Sequence, residues 1–402
     1  MIFTTRKAVI FITYKKLYIC CIVFCFVLSG CKDRKEIEER AFVIGAAFDL
    51  PEATDYSKSN HHNMILGTYQ VMLPNSNTSQ GSGSNLQKYS NISAQSNGIF
   101  VQIRQIAQSI SRPLYFPHIK TIIISKKLAQ KPHVLNQILD VFYRDNEMRR
   151  NVHLYISNGK AKKMLELKTD GPEDLPAEYI GLLSNHPDKN AQMLESVRIG
   201  QVQGLLLSNT SFALPLLKPA NTGGKLEGAA LFRGTDFKMI GTLSGVQTQG
   251  LNYLTGKKST GIIHISHKDG AFTYDIGDVN RNIQISLRNP YKPKYDIDID
   301  VNGVLADVYW KDIKNTWTLQ KITDRIEKEI KKNTMDTLNT LQHEYTVDVI
   351  NFGEHYERAN YRKWIEIKKD WEQGESYFSK ADVVVRIHVN IEHSGAVQKN
   401  SI

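Results

Sequence analysis

All four cysteines of the chain fall within one twelve-residue stretch, CCIVFCFVLSGC, at positions 20–31. Past Cys31 no thiol follows as far as Ile402. Whatever folds downstream does so without a disulfide framework, a thiol nucleophile or a cysteine metal site. Burial of apolar surface has to hold it together. The length permits this, since 402 residues suffice for two or three domains with sizeable cores. An apolar fraction of 41% with 23% charged residues is that of a globular chain, not a disordered or fibrous one. No period of 20–50 residues recurs, which argues against a solenoid.

The stretch itself ends an export signal that occupies residues 1–30. Arg6, Lys7, Lys15 and Lys16 form its basic start, and Leu17–Val27 its apolar core. As a helix that core would reach about 16 Å, well short of the roughly 30 Å of a bilayer interior. Extending it back through AVIFITY would place Lys15 and Lys16 near mid-membrane, at about 2.5–3.5 kcal/mol each. The run closes on Leu28-Ser29-Gly30-Cys31, which resembles the lipobox of bacterial lipoproteins. Two small residues let a peptidase approach the backbone, and the thiol takes a diacylglycerol in thioether linkage. Cleavage then makes Cys31 the amino terminus, which accepts a further acyl group. With about 0.8 kcal/mol per buried methylene, two or more chains anchor stably. The alternative is an ordinary signal, or a short anchor, that happens to end in cysteine. Cys20, Cys21 and Cys25 are small apolar residues of the discarded peptide.

Four of the ten net positive charges precede Cys31, where no acid occurs, leaving about +6 spread over the rest. No dense Lys/Arg patch with interleaved aromatics appears, so nucleic acid is not an expected partner. A mild basic excess suits work against anionic lipid.

Strands and helices are mixed along the remainder, which predicts an α+β or α/β fold: three domains with central, mostly antiparallel sheets flanked by helices. The first is expected over 31–170. After a charged tether (32–40) it shows strands at 41–50, 64–73, 119–125 and 151–157, and helices at 98–110, 133–145 and 159–168. Residues 74–97, rich in Ser, Asn and Gly, bury too little to offset ordering entropy and read as a flexible loop. TDGPEDLP (169–176) reads as a linker into a middle domain, 171–268, with a helix near 177–184 and strands at 227–233, 237–243 and 261–267. The last domain, 269–402, alternates as half-buried strands do at 284–289, 294–307 and 381–395. Between them, Leu319, Ile322, Ile326, Ile330, Leu338 and Leu341 form one stripe on a long polar helix, 317–345. The stripe drifts off a strict heptad, so it is read as covering a sheet.

A search for chemistry yields no catalytic, cofactor or metal residues. Asp296, Asp298 and Asp300 share one strand face, but an EF-hand would need Gly where Val301 sits. They read as a solvated outer face. His264 and His267 fall on opposite faces of a strand. No HExxH, GxSxG, Walker or dinucleotide fingerprint is present, and Gly81-Ser82-Gly83 lacks a third glycine. Trp364 and Trp371, one heptad apart, are open to a ligand stack or to anchoring a helix; anchoring is the reading taken.

Four stretches together resemble the Ger(x)C family of spore-germination lipoproteins, the C subunits of nutrient germinant receptors. The first is Cys31-Lys32-Asp33-Arg34-Lys35-Glu36-Ile37 and the strand ending at Asp49; Lys32 departs from the family's Trp. The second and most specific runs from SRPLYFPHIKTIIISKKLAQ into LDVFYRDNEMRRNVHLYISNGKAKKML. It carries His118, Tyr143-Arg144-Asp145, Glu147 and Arg149. The third is KLEGAALFRGTDFKMIGTLSGVQTQGLNYLTG, and the fourth is residues 350–395. The resemblance implies a three-domain lipoprotein on the outer face of the bacterial cell membrane, in the spore the inner membrane. It implies work beside a multi-spanning A subunit and a permease-like B subunit, with no catalytic residues and no cofactor beyond the lipid on Cys31. Arg144, Asp145, Glu147 and Arg149 are open to an ion-pair network or a partner surface; the structural network is the reading taken. A rival, an anchored solute-binding lipoprotein of a transporter, would need two similar lobes, and no duplicated halves are seen.

In the mature protein a maleimide probe should label nothing, and a reductant should leave Tm unchanged. A reactive thiol at Cys31 would contradict the acylated reading.

Overall fold

The structure, a computed structural model, describes residues 39–52, 64–73, 88–145, 147–169, 172–184, 191–257, 260–267, 270–310 and 319–392. The signal, Cys31, residues 32–38 of the tether and residues 74–87 of the serine-rich insert lie outside them.

A nine-stranded sheet grows outward from β1 (Ala41–Asp49). Its sequence AFVIGAAFD does not alternate, the pattern of a strand covered on both faces, and all but one of its residues are buried. On one side β2 (Ile65–Met72) pairs antiparallel, and β3 (Tyr89–Ser96) follows antiparallel to β2. Helix α1 (Ile99–Ser109) then leads to the other side of β1. There β4 (Leu114–Tyr115) and β5 (Thr121–Ser125) run parallel to it. Helix α2 (Val134–Arg144) is the crossover that a parallel neighbour requires, and β6 (His153–Ser157) joins β5 in parallel. Helices α3 (Pro176–Leu183) and α4 (Ile199–Ser208) precede β7 (Phe212–Pro219), parallel to β6. β8 (Gly224–Phe232) and β9 (Met239–Leu243) close the sheet as an antiparallel meander.

The mixed α/β class is therefore as expected. The sheets, expected to be mostly antiparallel, are so at the margins of this one, while its centre is parallel because helices make the crossovers. Pairing of β6 with β7 also carries the sheet across residue 170.

Helix α5 (Gly245–Thr255) leads into a four-stranded sheet: β10 (Gly261–His267), β11 (Gly270–Ser286), β12 (Lys294–Trp310) and β13 (Asp382–Ile391). The first three are antiparallel. β13 returns parallel to β12 after α6 (Leu319–Asn339), a π-helical turn at Thr340–Tyr345, α7 (Phe352–Ala359) and α8 (Tyr361–Ile367).

Three expectations are corrected. Residues 89–96 of the insert are an edge strand, not loop. Their polar side chains are matched by β2: the Thr68 and Ser93 hydroxyls meet at 2.8 Å, and Gln70 Nε2 donates to Asn91 Oδ1 at 3.0 Å. The helix expected over 159–168 is one turn, Ala161–Met164. Gln70 and Asn91 side-chain amides take the Leu165 carbonyl at 2.8 and 3.0 Å, where a longer helix would need it. The strand expected at 284–289 is the end of the 17-residue β11, which begins at Gly270.

One face of the large sheet packs Phe48, Ile122, Ile124 and Leu154 under α1, α2 and α4. The opposite face packs Ala47, Ile123 and Tyr155 against the Ala161 turn and α3. A separate core takes Leu231 and Leu243 from the large sheet, Ile297, Ile299 and Val301 from β12, and Ile322, Ile326 and Ile330 from α6. The α6 stripe thus covers the small sheet, as its drift from a heptad predicts. At the α5–α6 crossing, a Cβ on Gly250 would lie 2.3 Å from Thr337 Oγ1 and 2.5 Å from the Asn333 carbonyl. Only glycine permits this approach.

Ile326 is fully buried, so Ile326→Ala should cost about 2–5 kcal/mol in chemical denaturation. Leu319, on the same stripe but 39% exposed, should lose far less on Leu319→Ala. Equal losses would contradict the packing described.

Candidate functional site

Cys31, the expected lipid attachment point, precedes β1 by ten residues. Because β1, β5 and β6 are parallel, their amino ends share one edge of the large sheet, the edge into which the tether leads. Arg40 holds its guanidinium 4.2 Å above the Tyr115 ring, and the Phe42 and His118 rings meet edge-on at 5.4 Å. Lys120 donates its backbone N–H to the Ile44 carbonyl, and His153 donates to the Lys120 carbonyl, so the two residues sit at one level of the sheet. An isolated antiparallel bridge brings Arg198 beside His153.

Beside them lies a cavity of about 280 Å³ whose lining includes His118, Lys120, Arg149, His153 and Arg198, with Glu178 the one acid lining it among the described residues. Gly181 of α3 closes it from above: a Cβ there would sit 3.1 Å from Thr121 Oγ1 and 3.7 Å from Lys120 Cβ. Among the described residues, Lys120, Arg149 and Arg198 have no ion-pair partner. His153 Nδ1 is hydrogen-bonded to the Ser196 hydroxyl and lies 3.4 Å from that of Ser184. Burial holds His153 below the usual imidazole range, and the Arg198 and Lys120 charges push it the same way. It is therefore neutral at pH 7, and the positive charge comes from the lysine and the two arginines.

The most specific stretch of the sequence resemblance divides here. Tyr143 donates its hydroxyl to the Ile199 carbonyl at 2.9 Å, fastening the end of α2 to the start of α4. Arg144 pairs with Asp140 one helical turn back, at 2.7 Å. The Asp145 carboxylate accepts the Glu147 backbone N–H at 2.9 Å. Arg149 turns to the cavity. Among the described residues the mutual ion-pair network expected of Arg144, Asp145, Glu147 and Arg149 does not form, because Arg144 is taken by Asp140 and Arg149 lines the cavity.

Asp296 and Asp298 lie on the outer face, where Arg386 bridges them at 2.8 and 3.1 Å, so their partner is a guanidinium. Among the described residues no group of three potential ligands could hold a metal ion. His264 Nδ1 is 3.1 Å from the Thr273 hydroxyl, a cross-strand contact. Trp364 and Trp371 pack edge to face at 5.3 Å, and Trp371 is buried, which is anchoring.

An acidic pair, Asp348 buried and Glu372 half-buried, carries no signal in the sequence. Asp348 accepts from the Phe352 and Gly353 backbone N–H groups at 3.0 and 2.6 Å and from the Trp371 indole at 2.8 Å. Glu372 accepts from the Asp348 backbone N–H and from the Ser211 hydroxyl, each at 2.8 Å. Burial pushes both carboxyls up, Glu372 to about 7.

Two family models match the chain: the spore germination protein N-terminal domain over residues 33–219, and the spore germination B3/GerAC-like C-terminal domain over 227–395. Spore germination protein YndF of Bacillus subtilis (strain 168) is 28% identical over 398 residues, spanning 94% of this chain and 96% of that protein. Spore germination protein B3 of the same organism is 26% identical over 376 residues, spanning 92% and 96%. The crystal structure of the GerBC protein superposes with a TM-score of 0.57 at 22% identity, covering 90% of this chain and all of that one, and shares its fold.

Ser211 lies in the first matched region and Asp348 and Glu372 in the second, so the acidic pair joins the two. Glu372 keeps its proton in the folded state from its ordinary value of 4.5 up to about 7. The unfolded chain has lost it over that range. Stability from this group is therefore full below pH 4.5 and falls as pH rises to about 7. Glu372→Gln should flatten that fall in denaturation curves taken across the range; an unchanged slope would place the titration elsewhere.

Proposed function

Since this chain belongs to the Ger(x)C family of spore germination proteins, we propose that it is the membrane-anchored lipoprotein subunit of a nutrient germinant receptor. It acts in spore germination by binding integral partners, a multi-spanning A subunit and a permease-like B subunit, and not by catalysis. Cys31 carries a diacylglyceryl thioether and an N-acyl chain. The body sits on the outer face of the cell membrane, which in the spore is the inner membrane.

The observation that carries this reading is the tiling of one chain by both family domain models, directly downstream of Leu28-Ser29-Gly30-Cys31. No helix among the described residues is long and apolar enough to cross a membrane. A lipid on Cys31 would hold the folded body at the bilayer and raise the effective concentration of partners in that plane. The solute-binding alternative gains no support, since the nine-stranded and four-stranded sheets are not copies of one another.

Cys31→Ala should release the protein from spore membranes and impair germination with nutrients. Capture of the wild type from solubilised membranes should bring integral proteins with it, and capture of the variant should not. Full nutrient germination with a protein that never reaches the membrane would overturn the reading.

A further inference from the structure

The basic cavity at the amino-terminal edge has a chemistry that names its ligand. Lys120, Arg149 and Arg198 converge on it without ion-pair partners among the described residues. Guanidinium forks match the geometry of phosphate oxygens, and an ammonium adds a point charge. The cavity lies at the amino ends of β5 and β6, whereas ligand crevices in α/β sheets open at the carboxyl ends. A soluble cofactor is not what this position suggests.

The tether suggests something else. The ten residues from Cys31 to Ala41 span at most about 35 Å when fully extended. The first strand therefore begins within that reach of the lipid that anchors it. Beside the cavity, Arg40 stacks on Tyr115, and Phe42 packs on His118. Cations with interleaved aromatic rings are the side chains that settle at the headgroup level of a membrane.

We propose that this cavity takes the phosphate of an anionic phospholipid headgroup in the leaflet that holds the Cys31 lipid. Occupancy sets which face of the body meets the bilayer. The inference rests on the anchored reading above.

The test uses the acylated mature protein reconstituted in vesicles of phosphatidylcholine, alone or mixed with phosphatidylglycerol. Two readouts are taken: flotation with the vesicles and amide hydrogen exchange. Exchange over residues 118–121 and 149–153 should slow about threefold or more when phosphatidylglycerol is present. High salt should abolish the effect. So should the combined Lys120→Gln, Arg149→Gln and Arg198→Gln variant, and Arg149→Gln alone should weaken it. Unchanged exchange in β6 beyond His153 shows that the variants remain folded.

Flotation with both vesicles but no change in exchange overturns the cavity assignment and leaves the anchor standing. Flotation only with phosphatidylglycerol, lost in the triple variant, overturns the anchor and supports the cavity. Flotation with neither overturns both. Equal protection by soluble glycerol phosphate over phosphatidylcholine vesicles assigns the site to a free anion and overturns the headgroup.

Discussion

Everything else in the large sheet depends on β1 being covered on both faces and paired along both edges. It is the first strand in the chain, yet it lies inside the sheet, between β2 on one side and β4 and β5 on the other. Gly45 makes this possible: a Cβ there would lie 2.4 Å from Ala177 Cβ, so α3 reaches the strand only because the side chain is missing. Asp49, at the far end, accepts the Ala161 and Lys162 backbone N–H groups at 2.8 Å each and caps the turn that covers the same face. Next door, the buried Gln70 side chain accepts from Ala177 N–H at 2.9 Å and donates to Leu165 O at 2.8 Å. The helical layer is thus held by polar groups of the strands as well as by apolar burial. A load applied ahead of β1 would enter the sheet at its interior and not at a peelable edge.

How much of this was legible depended on how many faces an element buries. β1, β5 and β6 are dense in apolar residues, and α2 and α6 carry one clear stripe each; all could be placed from the sequence. Helix α5 (GVQTQGLNYLT) could not, because it is enclosed on most sides. Thr248, Gln249 and Asn252 are buried with Leu251 and Leu254, so no polar face marks its period. β7 was hidden by its prolines, which ordinarily demote a strand. Pro215 is tolerated because the ladder shifts register there, between Pro215 and Leu217. Helix α4 (IGQVQGLLLS) has two glycines and an exposed Leu207, which blur its stripe.

The candidate site was legible only in part. His118, Lys120, Arg149 and His153 all lie in the stretch that most resembles the family, but strand register brings them to one site and an isolated bridge adds Arg198. Registers of this kind are set by turn lengths and bulges, which local composition does not encode. The Asp348–Glu372 pair was opaque for the same reason. Its members are 24 residues apart, and its third member, Ser211, lies in the other matched region. Only the packed fold makes neighbours of them.

Net charge is a sum, and a sum hides pairing. The modest positive excess downstream of Cys31 looked evenly spread along the chain. In the fold it separates into two kinds. On the outer face of the small sheet, Asp296 is matched by Lys294 and Arg386, and Asp298 by Arg386, so that ladder presents little field. At the amino edge of the large sheet, Lys120, Arg149 and Arg198 have only Glu178 in their cavity lining. Exposed, paired charges cancel within a Debye length of about 8–10 Å, whereas unmatched cations in a concave site focus their potential outward. A mildly basic composition thus leaves unmatched cations together at the amino ends of β5 and β6. An anchored body with its unmatched charge at the opposite end would be turned away from an anionic surface. A lipid on Cys31, as proposed above, would act in the same direction as the charge of this cavity.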